Sequence, residues 1–211
     1  MKRGLGAMAC KDGGEDVPEP KRKPVAHQGH ASHGHWSAKL LDTMKDPSMV
    51  VKEDDTTVII RDAYPKAKHH FLVLPKDNIP SLRALNASHV PLLQHMLECG
   101  QSLEEELSGK DSSLKFQHGY HAVPSMTRLH MHIISTDFDS PCLKTKKHWN
   151  SFTTEFFLPA EDVIRRLQRL GRVEADKEKY EGILKAPLKC HVCHASCQNM
   201  PKLKTHIQQH K

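Results

Sequence analysis

The stretch Gly119–Ser135, GYHAVPSMTRLHMHIIS, decides how the rest of the chain is read. Polar and apolar residues largely alternate from Arg128 to Ile134, and a strand sends alternate side chains to opposite faces. The pattern therefore predicts a strand with His130 and His132 on one side. Two imidazoles fixed on a strand suit phosphate chemistry: the neutral ring is a nucleophile or base near pH 7, and the charged ring stabilises phosphate oxygens. The same alternation describes a half-buried strand carrying a hydrogen-bonded histidine, so the pair alone leaves both readings open. Upstream, His121 adds an imidazole, and Ser125, after Pro124, lies in a loop able to aim a hydroxyl and backbone N–H groups at an anion.

Outward from that stretch, Arg61–Pro75, RDAYPKAKHHFLVLP, predicts a strand from His70 to Leu74 preceded by Asp62 and Lys66. Taken alone, Asp62 reads as a turn residue before Pro65 and Lys66 as a solvated charge. Residues 49–61 predict two short strands joined by an acidic turn at Lys52–Thr56. Ahead of them, Trp36, Leu40 and Thr43 recur at helical spacing, with Ser37 as a cap and Pro47 as a stop, and this spacing makes Trp36 a core anchor. Leu82, Leu85, Val90, Leu93, Met96 and Leu97 predict one long helix over 81–107 that covers the sheet, with Cys99 structural. Leu114–Tyr120 returns as a strand. Lys144, Lys146, Lys147, His148 and Trp149 predict a basic loop suited to a nucleic-acid backbone, or a solvated loop with Trp149 in the core. Glu161–Leu170 predicts an amphipathic helix, followed by a charged connection to Pro187.

The C-terminal pattern is the most specific local signal. Cys190-x2-Cys193-x12-His206-x3-His210 has the spacing of a two-Cys, two-His zinc finger, in which a turn presents both thiolates and one helix face both imidazoles. His191, His194 and Cys197 do not improve on that spacing. So short a module has too few apolar residues between Val192 and Ile207 for an independent core, so structural Zn2+ is expected to fold it. With Lys202, Lys204 and Lys211 on it, contact with a DNA backbone is expected ahead of base readout.

These segments, with the run Ser140–Phe152, SPCLKTKKHWNSF, resemble the histidine-triad superfamily of nucleotidyl hydrolases and transferases. The match narrows to its branch of DNA-5′-adenylate hydrolases and covers 34–210. The resemblance implies an α+β fold: a histidine-triad antiparallel sheet with flanking helices over 34–180, and a small C2H2-type zinc finger over 181–211. It implies a DNA-repair enzyme that removes AMP from the 5′ end of a nick or break, releasing AMP and restoring the 5′-phosphate. His130 would attack the AMP phosphorus to give an adenylyl-histidine that water resolves, with no metal in the chemical step. His70, His121, His132 and Ser125 would hold phosphate oxygens or deliver the leaving-group proton, beside Met126. Asp62 would accept the ribose hydroxyls, Lys66 would neutralise phosphate, Trp36 would stack on the exposed strand end near Leu40 and Thr43, and Lys147 would touch DNA. The chain departs from the superfamily at the first of its three alternating histidines, where Arg128 stands to pack structurally or to add charge. The alternatives are a non-catalytic nucleotide sensor that binds nucleic acid, and a hydrolase of free nucleotide conjugates. Relatives often carry an N-terminal phosphopeptide-binding domain, for which the residues ahead of 34 are too few, so repair-protein partners are not inferred.

The totals agree with this outline. The chain has 211 residues, enough for one sizeable core and a small module, and a net charge of +6 suits a polyanionic partner. Six cysteines without a secretory apolar run point to a reducing compartment, where close pairs hold metal. No apolar run approaches the roughly 18 residues of a membrane span, so a soluble protein without a membrane partner is expected. Residues 1–33 predict a disordered basic tail, in which PKRKP at 20–24 reads as a nuclear-localisation cluster or a solvated charge run. His27, His30, His33 and His35 are too irregularly spaced for a metal site.

Overall fold

The computed structural model describes residues 34–210, with side chains from Leu40 onward. The tail at 1–33, with its PKRKP cluster and His27, His30 and His33, lies outside the described residues, as do the side chains of His35, Trp36 and Ser37. Helix α1 spans Gly34–Lys45 and stops short of Pro47, whose ring disfavours helical backbone at the residue before it. Strands β1 (Val50–Glu53) and β2 (Thr57–Arg61) form a hairpin whose turn is organised by Asp54: its Oδ1 accepts the N–H groups of Thr56 and Thr57, both at 2.7 Å. Strand β3 follows at His70–Pro75. Helix α2 is Val90–Ser108, not a helix from Ser81. Short 3₁₀ turns at Leu82–Ala84 and Ala87–His89 occupy the intervening residues, because Asn86 accepts the Ser88 N–H and Pro91 belongs in a first helical turn, where no N–H is needed.

Strand β4 is Phe116–His121 and β5 is Met131–Ser135. The strand expected from Arg128 begins three residues later because Arg128 has φ 123°, while the Arg128 and Leu129 N–H groups donate to Pro80 and Ile79. The expected basic loop is instead helix α3, Lys146–Thr153, started by the Thr145 hydroxyl, which accepts from the His148 N–H at 3.1 Å. Strand β6 (Phe157–Pro159) and helix α4 (Ala160–Leu170) follow, α4 ending on the left-handed Gly171. Helix α5 (Lys177–Ile183), strands β7 (Leu188–Lys189) and β8 (Ser196–Cys197) and helix α6 (Met200–Ile207) complete the chain.

The six main strands form one antiparallel sheet in the order β1-β2-β3-β5-β4-β6. Directly paired residues share a face, so the register assigns every side chain. Ile59, Phe71, Val73, Tyr120, Met131, Ile133 and Leu158 face the larger core, with Leu93, Met96 and Leu103 of α2 and Val163, Ile164 and Leu167 of α4. The opposite face carries Ile60 against Leu72, Leu72 against His132, and His132 against Gly119. Here two apolar clusters flank the histidines. One gathers Leu40 with Val58, Ile60, Leu72 and Leu74. The other joins Ile134, Phe138, Trp149, Phe152 and Phe157 to Leu188, Cys190, Leu203 and Ile207, so finger and sheet share a core within one compact unit. Gly119 is required at this crossing, since a Cβ there would lie 2.4 Å from the Leu158 carbonyl and 2.6 Å from the Phe157 ring. Among the described residues no helix is long and apolar enough to cross a membrane.

Candidate active site

Four imidazoles meet on the sheet face left between the two apolar clusters. His130 comes from the residue just ahead of β5, His132 from β5 itself, His70 from the start of β3 and His121 from the end of β4. Ring centroids lie 5.0 Å apart for His130–His132, 5.2 Å for His70–His132 and 4.3 Å for His121–His132. Phe152 stands edge-on to His70 and His132, at 5.3 Å from each. His70, His130 and His132 are all buried.

Hydrogen-bond partners fix the tautomers. The Lys66 backbone N–H donates to His70 Nδ1 at 3.1 Å, so the His70 proton is on Nε2 and is donated to His132 Nδ1 at 2.9 Å. His132 then carries its own proton on Nε2, buried and without a protein partner. His130 Nδ1 donates to the Arg128 carbonyl at 2.8 Å, which leaves the Nε2 lone pair of its neutral ring available. Burial holds all four rings neutral. It pulls the His70 pKa down to about 4 against the charge of Asp62, and lowers His130 and, further, His121 and His132, where neighbouring imidazoles add to the effect. One ring thus offers a lone pair beside another that offers an N–H donor. That is the equipment for attack on an electrophilic phosphorus whose oxygens must be held.

Arg128 packs structurally. Its guanidinium donates to the carbonyls of Pro75 and Lys76 at 2.9 and 3.0 Å, away from the histidines, while its own carbonyl takes the His130 proton. Burial, partly offset by Asp77, lowers its pKa. The left-handed backbone at this position is what turns that carbonyl onto the ring.

The structure brings some predicted residues to this face and not others. Asp62 Oδ2 lies 3.6 Å from His70 Nε2, and its Oδ1 accepts from the Tyr64 N–H. Lys66, half-buried, directs its ammonium to the Tyr64 carbonyl and its positive charge disfavours protonation of His70, His121 and His132. Lys147 is exposed on α3, within electrostatic reach of His121. Ser125 is exposed and Met126 packs against the α1 cluster. Leu40 is buried in that same cluster, so its side chain is a core element and not an exposed contact. Thr43 is half-buried on α1, and Trp36 lies on α1 with its side chain outside the described residues. The sequence reading missed Phe152, which walls the histidines, and Asn150, whose buried amide donates to the carbonyls of Leu184 and Ala186 at 3.1 and 2.9 Å. The three-residue spacing of Trp149 and Phe152 was the available signal, helical rather than loop.

At the finger, Cys190, Cys193, His206 and His210 converge so that all four ligand atoms lie within 4.8 Å of one another. Cys193 Sγ is 3.1 Å from His206 Nε2, which is 3.2 Å from His210 Nε2. A tetrahedral ion with bonds of about 2.0–2.3 Å needs ligand edges slightly longer than these, so the donors fit zinc. His191 is no ligand; its ring meets Phe138 and Trp149 edge-on at 5.1 and 5.4 Å, fastening the finger to the sheet. Trp149 Nε1 donates to the Lys189 carbonyl and Lys204 Nζ to that of Ser140 across the same junction.

Residues 35–148 match the family described as scavenger mRNA decapping enzyme C-term binding, and residues 153–211 the C2HE / C2H2 / C2HC zinc-binding finger. The chain is 47% identical to aprataxin of Gallus gallus over 199 residues, which cover 92% of this chain and 62% of that protein. It is 33% identical to an aprataxin-like protein of Saccharomyces cerevisiae over 210 residues, which cover 82% of this chain and 94% of that one. It therefore spans about three-fifths of the Gallus gallus protein and nearly all of the yeast one. Among solved structures, the aprataxin orthologue Hnt3 in complex with DNA superposes with a TM-score of 0.66 at 26% identity, covering 81% of this chain and 90% of that one. In sequence, in the histidine-bearing sheet and in the attached finger, this chain belongs to the aprataxin family of histidine-triad proteins.

Proposed function

We propose that the chain hydrolyses the phosphoanhydride of 5′-adenylated DNA at nicks and breaks, releasing AMP and a 5′-phosphate end. The observation that carries this reading is the hydrogen bond from His130 Nδ1 to the Arg128 carbonyl, which presents Nε2 as a nucleophile. Attack of Nε2 on the AMP phosphorus forms an N–P bond and breaks the anhydride P–O bond, with the electron pair leaving on the DNA 5′-phosphate. Water then cleaves the adenylyl-histidine. In this reading the unpartnered Nε2–H of His132 donates to a phosphoryl oxygen, and Asp62, beside His70, accepts ribose hydroxyls.

DNA as the substrate is supported by the solved relative bound to DNA, by the positive charges of Lys66 and Lys147 beside the histidines, and by the attached finger. At the finger, bound zinc would supply a tetrahedral cross-link, held by Cys190, Cys193, His206 and His210, that keeps Lys202 on a rigid helix for backbone contact. Nuclear residence belongs to the same reading, on the basic run PKRKP. The test compares turnover of a 5′-adenylated nick with that of a free dinucleotide. Preference for the nick, weakened by rising salt and by Lys147→Glu, supports the reading. Equal rates on both substrates contradict it.

A further inference from the structure

A second convergence of donors lies on the other face of the sheet, at its β1–β2 edge. His95 and Cys99, four residues apart on α2, share one face of that helix and meet Asp54 of the β1–β2 turn. His95 Nε2 is 2.8 Å from Asp54 Oδ2, and Cys99 Sγ is 3.5 Å from that nitrogen and 3.6 Å from that oxygen. Such a trio invites comparison with a Cys-His-Asp relay, but a relay uses the two different nitrogens of the ring. Here thiol and carboxylate both face Nε2, so no proton path runs through the imidazole. The three atoms form a closed triangle around one point.

From this triangle we propose that Asp54, His95 and Cys99 form a second zinc site, separate from the finger. The donor set of thiolate, imidazole and carboxylate selects zinc over magnesium or calcium, which take oxygen ligands. Tetrahedral bonds of about 2.0–2.3 Å require edges of about 3.3–3.8 Å, so the two sulfur edges already fit and the N–O edge opens by roughly 0.5 Å. The carboxylate is set in place from outside the site: Thr57 Oγ1 donates to Oδ2 at 2.7 Å, and the turn N–H groups hold Oδ1. The triangle borders a surface cleft of about 310 Å³ that Glu98 and Ser102 also line, leaving a fourth position for water or Glu98. Lys52, on the rim, is drawn off by Glu106, and Lys76 by Glu53. Binding releases the Cys99 thiol proton to solvent, and the His95 hydrogen moves from Nε2, where it faces Asp54, to Nδ1, which frees the Nε2 lone pair for the metal. Its consequence is a clamp from the edge hairpin to the helix that covers the sheet.

The test uses the full chain, equilibrated with zinc-buffered solution, and counts bound zinc beside His95→Gln and Cys99→Ser, both at partly exposed positions of α2. The parent is expected to hold about two zinc ions and each variant about one, a twofold drop, with AMP release from adenylated DNA unchanged. Zinc is also expected to slow iodoacetamide alkylation of Cys99, read peptide by peptide, in the parent and not in His95→Gln. One zinc in the parent, two in the variants, or alkylation of Cys99 indifferent to zinc overturns the proposal.

Discussion

The nucleophilic role proposed for His130 depends on an oxygen two residues away. The Arg128 carbonyl fixes the proton on Nδ1, and the Arg128 guanidinium fixes that carbonyl by gripping Pro75 and Lys76. Arg128→Ala is therefore expected to cost about 1.5–3 kcal/mol of stability in urea unfolding, the range for hydrogen bonds to a charged group, and to slow AMP release. A variant as stable as the parent would place the guanidinium outside the fold's support. The buried rings give a pH prediction as well. In the unfolded chain a histidine binds its proton near pH 6.5, whereas the folded rings are held below that, His70 down to about 4. Below pH 6.5 the unfolded state takes up protons that the native state refuses, so stability falls as pH drops from about 6.5 toward 4, by up to about 1.4 kcal/mol per pH unit for each such ring. Thermal unfolding at pH 7.5 and pH 5 checks the sign; equal midpoints contradict it. At this scale the sequence was partly legible. Alternation put His130 and His132 on one face, but nothing in the letters near Arg128 announces a left-handed backbone, so its structural part emerges only from the turn it makes.

Elements whose hydrophobic period is unbroken followed their pattern, as in the β1–β2 hairpin, β3 and α4. Those that differ do so where a cap or a neighbour competes with the period. Asn86 and Pro91 split the predicted 81–107 helix into turns and α2, and the run of lysines at 144–147 disguised a helix whose buried side, Trp149, Asn150 and Phe152, faces inward. Asn150 is the element-scale device: its amide gathers the carbonyls at the end of α5 and turns the chain into the finger. Asn150→Ala leaves the buried Leu184 carbonyl and the part-buried Ala186 carbonyl without this donor and is expected to destabilise the protein by about 1–3 kcal/mol, measured by thermal or denaturant unfolding. A loss below about 0.5 kcal/mol would show that the linker holds its course without the amide.

Across the whole molecule, the finger and the histidine face are parts of one packing arrangement. Leu203 and Ile207 of α6 are buried in the same cluster as Trp149 and Phe152, and Phe152 in turn walls His70, His121 and His132. Burying two such aliphatic side chains contributes on the order of 3–6 kcal/mol, and metal binding organises the module that carries them. Zinc removal by a chelator is accordingly expected to lower the unfolding temperature of the entire chain and to reduce AMP release, with one cooperative transition; a sheet that melts unchanged after chelation would separate the two. This coupling was not legible from the motif spacing, which marks the ligands but not the surface they dock on. The most direct measurement is acid-quenched single turnover on a nicked duplex labelled in its 5′-adenylate, with parent and His130→Ala side by side. The parent is predicted to carry transient covalent label on the peptide containing His130, followed by free AMP and an intact 5′-phosphate, and the variant neither. AMP release by the variant at the parent's rate, or label on another residue, would contradict His130 as the nucleophile.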